Sequence, residues 1–94
     1  EVPVQYKDTA EVKNSLIANG CIIRGRVENS IIFRGVKVGK GAVVKDCILM
    51  QRCEIEDGAR VENMICDKNV FVGKNRWLKG VETFPYIVTK NTRI

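Results

Sequence analysis

Residues 36–52 (VKVGKGAVVKDCILMQR) are followed by residues 53–69 (CEIEDGARVENMICDKN), and the two stretches superpose at an offset of seventeen. Val38 then falls with Ile55, Gly41 with Gly58, Ala42 with Ala59, Val44 with Val61 and Ile48 with Ile65. Upstream, Cys21, Ile23, Val27, Ser30, Ile31 and Phe33 fall with Val36, Val38, Val44, Cys47, Ile48 and Met50 once two residues are deleted after Gly25. One repeat earlier, Val12, Asn14, Ser15, Leu16 and Gly20 fall with Val27, Asn29, Ser30, Ile31 and Gly35. Val70, Val72 and Gly73 open a fifth unit, but Arg76 takes the column of Ala42 and Ala59, and the repeat decays there. A short internal repeat constrains the fold before any helix or strand is assigned, because each unit must bury its apolar side against the next.

No stretch keeps a 3.6-residue apolar period long enough for a helix. The inward candidates instead step by about six residues: Val12, Ile17, Ile23, Val27, Ile32, Val38, Val44, Leu49, Ile55, Val61, Cys66 and Val72. A small residue commonly lies two positions before each: Ala10, Ser15, Cys21, Ser30, Val36, Ala42, Cys47, Cys53, Ala59 and Val70. Alternation along short strands puts both on one face. Three steps make one coil, so the chain is expected to be a triangular prism.

The corners agree. Gly20, Gly25, Gly35, Gly41, Gly58 and Gly73 recur between strands, where tight turns call for glycine's backbone freedom. Asn14, Asn29, Asp46 and Asn63 occupy one corner in successive coils, and Asn and Asp tolerate the left-handed region. The residues before that corner, Lys13, Glu28, Lys45, Glu62 and Lys79, alternate in sign and would lie opposite one another in a parallel stack.

Leu16, Ile31, Ile48 and Ile65 alternate with the inward residues and are expected to face outward as an apolar stripe, widened by Phe33 and Met50. The pattern leaves open the reverse, with this column inside and Ile17, Ile32 and Leu49 outside. An exposed stripe of this kind marks a covered interface. Residues 1–9 read as a linker from an upstream domain, or a disordered end; residues 10–80 as the coil; residues 81–94 as a cap over the open strand edges, with Trp77 packing over the end and residues 86–89 a strand.

Composition narrows the function. Ninety-four residues allow one small domain, and the absence of an initial Met suggests a piece of something longer. No apolar run is long enough to span a bilayer, so a soluble, cytoplasmic protein without a membrane partner is expected. The four cysteines show no zinc-type spacing and the chain has no histidine. Cys21 and Cys53 share a column two coils apart, about 10 Å at strand spacing, beyond disulfide reach. All four cysteines read as reduced apolar fillers. The net charge of +5 is spread among alternating acids and bases with few aromatics, which does not favour a nucleic-acid partner.

The steps Val38-Gly39-Lys40-Gly41-Ala42-Val43-Val44 and Ile55-Glu56-Asp57-Gly58-Ala59-Arg60-Val61 resemble the hexapeptide repeat. That resemblance implies an all-β, single-stranded left-handed parallel β-helix of about four to five coils. Spacing alone does not set the hand. The run from Val12 to Ile23, followed by Val27-Glu28-Asn29-Ser30 and Phe33-Arg34-Gly35-Val36-Lys37-Val38-Gly39-Lys40-Gly41-Ala42, is similar to the C-terminal domain of glucose-1-phosphate adenylyltransferase, and within it to the GlgD-type subunit of bacterial glycogen synthesis. The resemblance covers residues 10–72.

In that family the nucleotidyl transfer from ATP, with its expected Mg2+, belongs to an N-terminal α/β domain whose motifs are missing here. The resemblance therefore implies no catalytic residue, cofactor or metal ligand in this stretch. The partners it implies are that catalytic domain, other subunits of a homo- or heterotetramer, and a sugar-phosphate effector. Leu16, Ile31, Phe33, Ile48, Met50 and Ile65 are the interface candidates. Arg34 and Lys68, sharing a corner column with Gln51 between them, and Arg76 and Lys79 near the cap are the effector candidates. A hexapeptide acyltransferase would use a histidine base and a γ-class carbonic anhydrase histidine zinc ligands, and both lack their residue here. The tail of another sugar-phosphate nucleotidyltransferase obeys the same packing rules and remains the alternative.

Overall fold

Two or three residues at a time run straight, then turn a corner, and three such steps return the backbone to its starting face one strand further on. The structure, a computed structural model, describes residues 3–94. One face is built from β1 (Gln5–Tyr6), β4 (Ile22–Ile23), β7 (Lys37–Val38), β10 (Glu54–Ile55) and β13 (Phe71–Val72). The second holds β2 (Glu11–Lys13), β5 (Arg26–Glu28), β8 (Val43–Lys45), β11 (Arg60–Glu62) and β14 (Trp77–Lys79). The third holds β3 (Leu16–Ile17), β6 (Ile31–Ile32), β9 (Ile48–Leu49), β12 (Met64–Cys66) and β15 (Tyr86–Val88). Neighbouring strands on each face are parallel, and the described residues contain no helix. The expected prism is the observed one.

The registers match the aligned columns: Ile23, Val38, Ile55 and Val72 stack on the first face, Val27, Val44 and Val61 on the second, and Ile32, Leu49 and Cys66 on the third. All of these are buried, which settles the open question of the third face. Val12 and Ile17 lie in the inward columns as expected, yet Val12 is 36% exposed and Ile17 only half-buried. Their strands are the first described on the second and third faces, so each has a described neighbour on one side only. Met64, missing from the inward residues read from the sequence, is fully buried in the column of Ser15, Ser30 and Cys47.

That column is polar for a reason. The Ser30 amide donates to Ser15 Oγ at 3.0 Å, and the Cys47 amide to Ser30 Oγ at 3.1 Å. The same side chains donate back two residues: Ser15 to the Lys13 carbonyl and Ser30 to the Glu28 carbonyl, both at 2.8 Å, and Cys47 to the Lys45 carbonyl at 3.2 Å. The hydroxyls thus satisfy amides that the turn takes out of the ladder. Buried Ser30 is stable on these terms.

The turn itself comes from the residue before. Asn14, Asn29, Asp46 and Asn63 all have φ between 46° and 54°, and Asn14 Nδ2 donates to Asn29 Oδ1 at 2.7 Å. The left-handed positions extend beyond glycine to Arg52, Asn69, Asn75 and Asn91. Gly25 and Gly73 were expected to serve by their φ, but neither adopts the left-handed region. The corner at Gly25 is two residues short, and a Cβ there would strike the carbonyl oxygens of Gly39 and Ala42 in the next coil. Close approach, not turn type, requires glycine at this position.

The ends differ from expectation. Gln5 and Tyr6, inside the segment read as a linker, pair with Ile22 and Ile23, so the first face begins before Ala10. Residues 81–94 continue the coil: β15 pairs with β12, and Arg93 bridges to Phe71. The connection from β12 to β15 is five residues longer than the seventeen-residue unit, and an antiparallel bridge between Val81 and Phe84 orders the excess. Trp77 does not pack over the end. It points outward and is 68% exposed, because Leu78 continues the inward column of Val61. The charge ladder lies in register from Lys13 to Lys79. The ion pairs of its acids, however, run within strands, Arg26 to Glu28 at 3.7 Å and Arg60 to Glu62 at 3.9 Å, because arginine reaches the carboxylate two residues on. Arg26 also grips Glu11 through Nε and Nη2 at 3.1 and 3.0 Å. These surface pairs, each with a half-exposed arginine, contribute about 0.2–1 kcal/mol apiece.

All four cysteines are buried free thiols, as read from the sequence. Burial pushes Cys47 up to about 11 and Cys66 up to about 12, and raises Cys21 and Cys53. An ionising group with a raised folded pKa stabilises the fold below its unfolded value and loses that contribution as pH climbs through the folded one. Thiol labelling at pH 8 should therefore track global unfolding, and denaturant stability should fall as pH rises from about 9 towards 11. Fast labelling of native protein would contradict the burial. Truncating the core should be costly and truncating the stripe cheap. Denaturation should show Ile55→Ala losing about 2–5 kcal/mol, and Leu16→Ala staying within about 0.5 kcal/mol.

Candidate interaction face

The third face carries what neither other face has: an unbroken outward row of aliphatic side chains. Leu16, Ile31, Ile48, Ile65 and Ile87 are direct register partners on β3, β6, β9, β12 and β15. At about 4.8 Å per strand the row runs about 19 Å. Its ends are most open, Leu16 at 70% and Ile87 at 65% exposed, with Ile31 at 43%. Ile48 and Ile65, nearer the middle of the row, are half-buried. Phe33 and Met50 stand beside the row, Phe33 exposed and Met50 half-buried; their amides donate to the carbonyls of Leu49 and Cys66 in the following coil. The six interface candidates therefore share one face. Ile87, the fifth member, was legible in the strand read at residues 86–89, but the five-residue insertion hid its register.

The corresponding outward rows elsewhere are mixed. The first face shows Ile22, Lys37, Glu54 and Phe71, with Lys37 and Glu54 paired at 4.0 Å and Arg93 lying 4.2 Å over the Phe71 ring. The second shows Glu11, Arg26, Val43, Arg60 and Trp77 beside the charge ladder.

The basic candidates do not converge on one place. Arg34 and Lys68 lie on the corner between third and first faces, in line with Gln51, where their carbonyls accept from the amides of Arg52 and Asn91. Arg76 closes the corner before β14, and Lys79 lies on the second face, in register with Glu62. All four side chains are exposed. Among the described residues no group of three or more His, Cys, Asp or Glu is placed to hold a metal ion. No described helix is long and apolar enough to cross a membrane.

A three-faced parallel coil with aliphatic and small inward columns defines the class, and residues 2–81 match the family described as GlmU-like, C-terminal hexapeptide. The chain belongs to that family, and the left-handed hexapeptide β-helix expected from the resemblance is its fold. The chain is similar to glycogen biosynthesis protein GlgD of Bacillus subtilis (strain 168), 44% identical over 90 residues, which are 96% of this chain and 26% of that protein. GlgD of Geobacillus stearothermophilus is 50% identical over 92 residues, 98% of this chain and 27% of that protein. Glucose-1-phosphate adenylyltransferase of Clostridium perfringens (strain SM101 / Type A) is 55% identical over 56 residues, 57% of this chain and 14% of that protein. The resemblance drawn from the residues is thereby upheld. The chain spans about a quarter of the length of the GlgD relatives it matches.

Proposed function

We propose that this chain is the non-catalytic β-helix domain of a glucose-1-phosphate adenylyltransferase-type subunit in cytoplasmic glycogen biosynthesis, and that its third face seats the N-terminal catalytic domain or a neighbouring subunit of a tetramer. The aliphatic row from Leu16 to Ile87 carries the reading. Water-exposed aliphatic side chains in an unbroken row are favourably covered by a matching surface, each fully exposed one contributing about 1.5–3 kcal/mol when buried. The relatives' names supply the pathway, and their length leaves room for a catalytic domain outside this stretch.

The chemistry of ADP-glucose formation would then belong to that other domain, with ATP and Mg2+ bound there. The β-helix contributes a stiff prism, because every coil is tied to its neighbours by parallel hydrogen bonds along three faces. Sugar-phosphate regulation is part of the same proposal, with Arg34 and Lys68 together on one corner, and Arg76 and Lys79 elsewhere, as the cationic groups available to it. Phosphate oxygens favour such guanidinium and ammonium donors.

Substitution in the middle of the row separates assembly from folding. In the full-length protein, Ile48→Lys should shift the oligomer to smaller species in size-exclusion chromatography with light scattering while the β-type circular dichroism is retained. Val43→Lys, an outward change on the second face, should leave assembly unchanged. An Ile48→Lys protein that elutes as the wild type would remove the third face from consideration as the seat.

A further inference from the structure

Trp77 is the one large aromatic that the coil displays with a fixed partner on the second face, and neither the core nor the aliphatic row uses it. We infer that the last rung of this face is a stacking platform for a neutral α-linked glucan, with the Trp77 indole as its floor. The choice of glucan among neutral sugars rests on the glycogen reading above; the platform rests on geometry.

The guanidinium carbon of Arg60 lies over the Trp77 ring, 5.7 Å from its centroid. Arg60 stands on β11, the neighbouring strand, so the ring face it covers looks back along the sheet. β14 is the last described strand of this sheet, and Trp77 is 68% exposed. One side of the indole is thus braced while most of the residue faces solvent.

Two residues along the same outward side, Glu62 and Lys79 are register partners. Lys79 is exposed and offers a donor one i, i+2 step, about 7 Å, along the strand from Trp77. Arg60 also approaches the largely covered Glu62 carboxylate at 3.9 Å, which positions its guanidinium before any ligand arrives.

The chemistry of the guest follows. The electron-rich ring face accepts the weakly positive C–H face of a pyranose. The Arg60 cation on the far side disfavours a second cation, such as a lysine or arginine of a partner protein. Arg60, Trp77 and Lys79 are all exposed, so the platform is open, unlike the concave sites that enclose small ligands. An open platform suits a polymer, whose repeated units raise the effective concentration at a weak site.

Trp77 is the only tryptophan of the chain, so its fluorescence reports on this position alone. Titration with maltoheptaose should give a saturable change, and electrophoresis through glycogen-containing native gels should retard the protein. Trp77→Ala should weaken binding about tenfold or more and Arg60→Ala by a smaller factor, each with an unchanged circular dichroism spectrum. Absence of retardation together with a flat titration to about 10 mM maltoheptaose, above the millimolar range of a weak site, overturns the proposal. So does Trp77→Ala retarded like the wild type, or a response to ATP without one to maltoheptaose. In the full-length protein Trp77→Ala should assemble normally; an assembly defect would assign the indole to a subunit contact. The glucan site can therefore fail while the assembly reading stands, and the reverse.

Discussion

Parallel pairing between coils fixes everything else in this protein. A strand of two or three residues has almost no stability of its own, and each gains it only by bonding the strand one coil away, most often seventeen residues along the chain. That exchange holds only while each corner returns the chain to the same height and direction. The left-handed backbone at Asn14, Asn29, Asp46 and Asn63 does this at one corner, and the hydroxyls of Ser15 and Ser30 satisfy the amides that the turn displaces. The core is a consequence: once register is set, Val27, Val44 and Val61 have no other place to go.

Most of this was legible in the sequence because a repeat states the same constraint several times. Inward columns, the Asn corner and the outward row all appear as vertical agreement between aligned units, and the structure keeps each. Reading failed where a residue had no sister to agree with. Trp77 sits in a rung where similarity to the other units has decayed, so size suggested a lid, whereas alternation from Leu78 places it outside. Met64 occupies a column held by Ser and Cys in the preceding coils, and only the packed interior shows the room for it. The acids of the charge ladder were placed correctly, but their partners depended on side-chain length and reach, which a column of signs does not contain.

The three faces divide labour although one backbone rule builds them all. Inward positions are interchangeable among small and aliphatic residues, so they say little about function. Outward positions are free of packing demands, which makes the aliphatic row of the third face and the braced indole of the second informative. The positions of Arg34 and Lys68 on one corner, Arg76 on another and Lys79 on the second face show the converse: exposed cations can be scattered over one prism without forming a single site.

The corners vary in length far more than the rungs do. One is two residues short at Gly25, and another carries five extra residues ordered by the Val81 to Phe84 bridge, yet the strands on either side stay in register. Insertions and deletions at these vertices leave the interior untouched. A lineage using this scaffold can therefore graft new projections onto an edge one corner at a time, acquiring partners without redesigning its core.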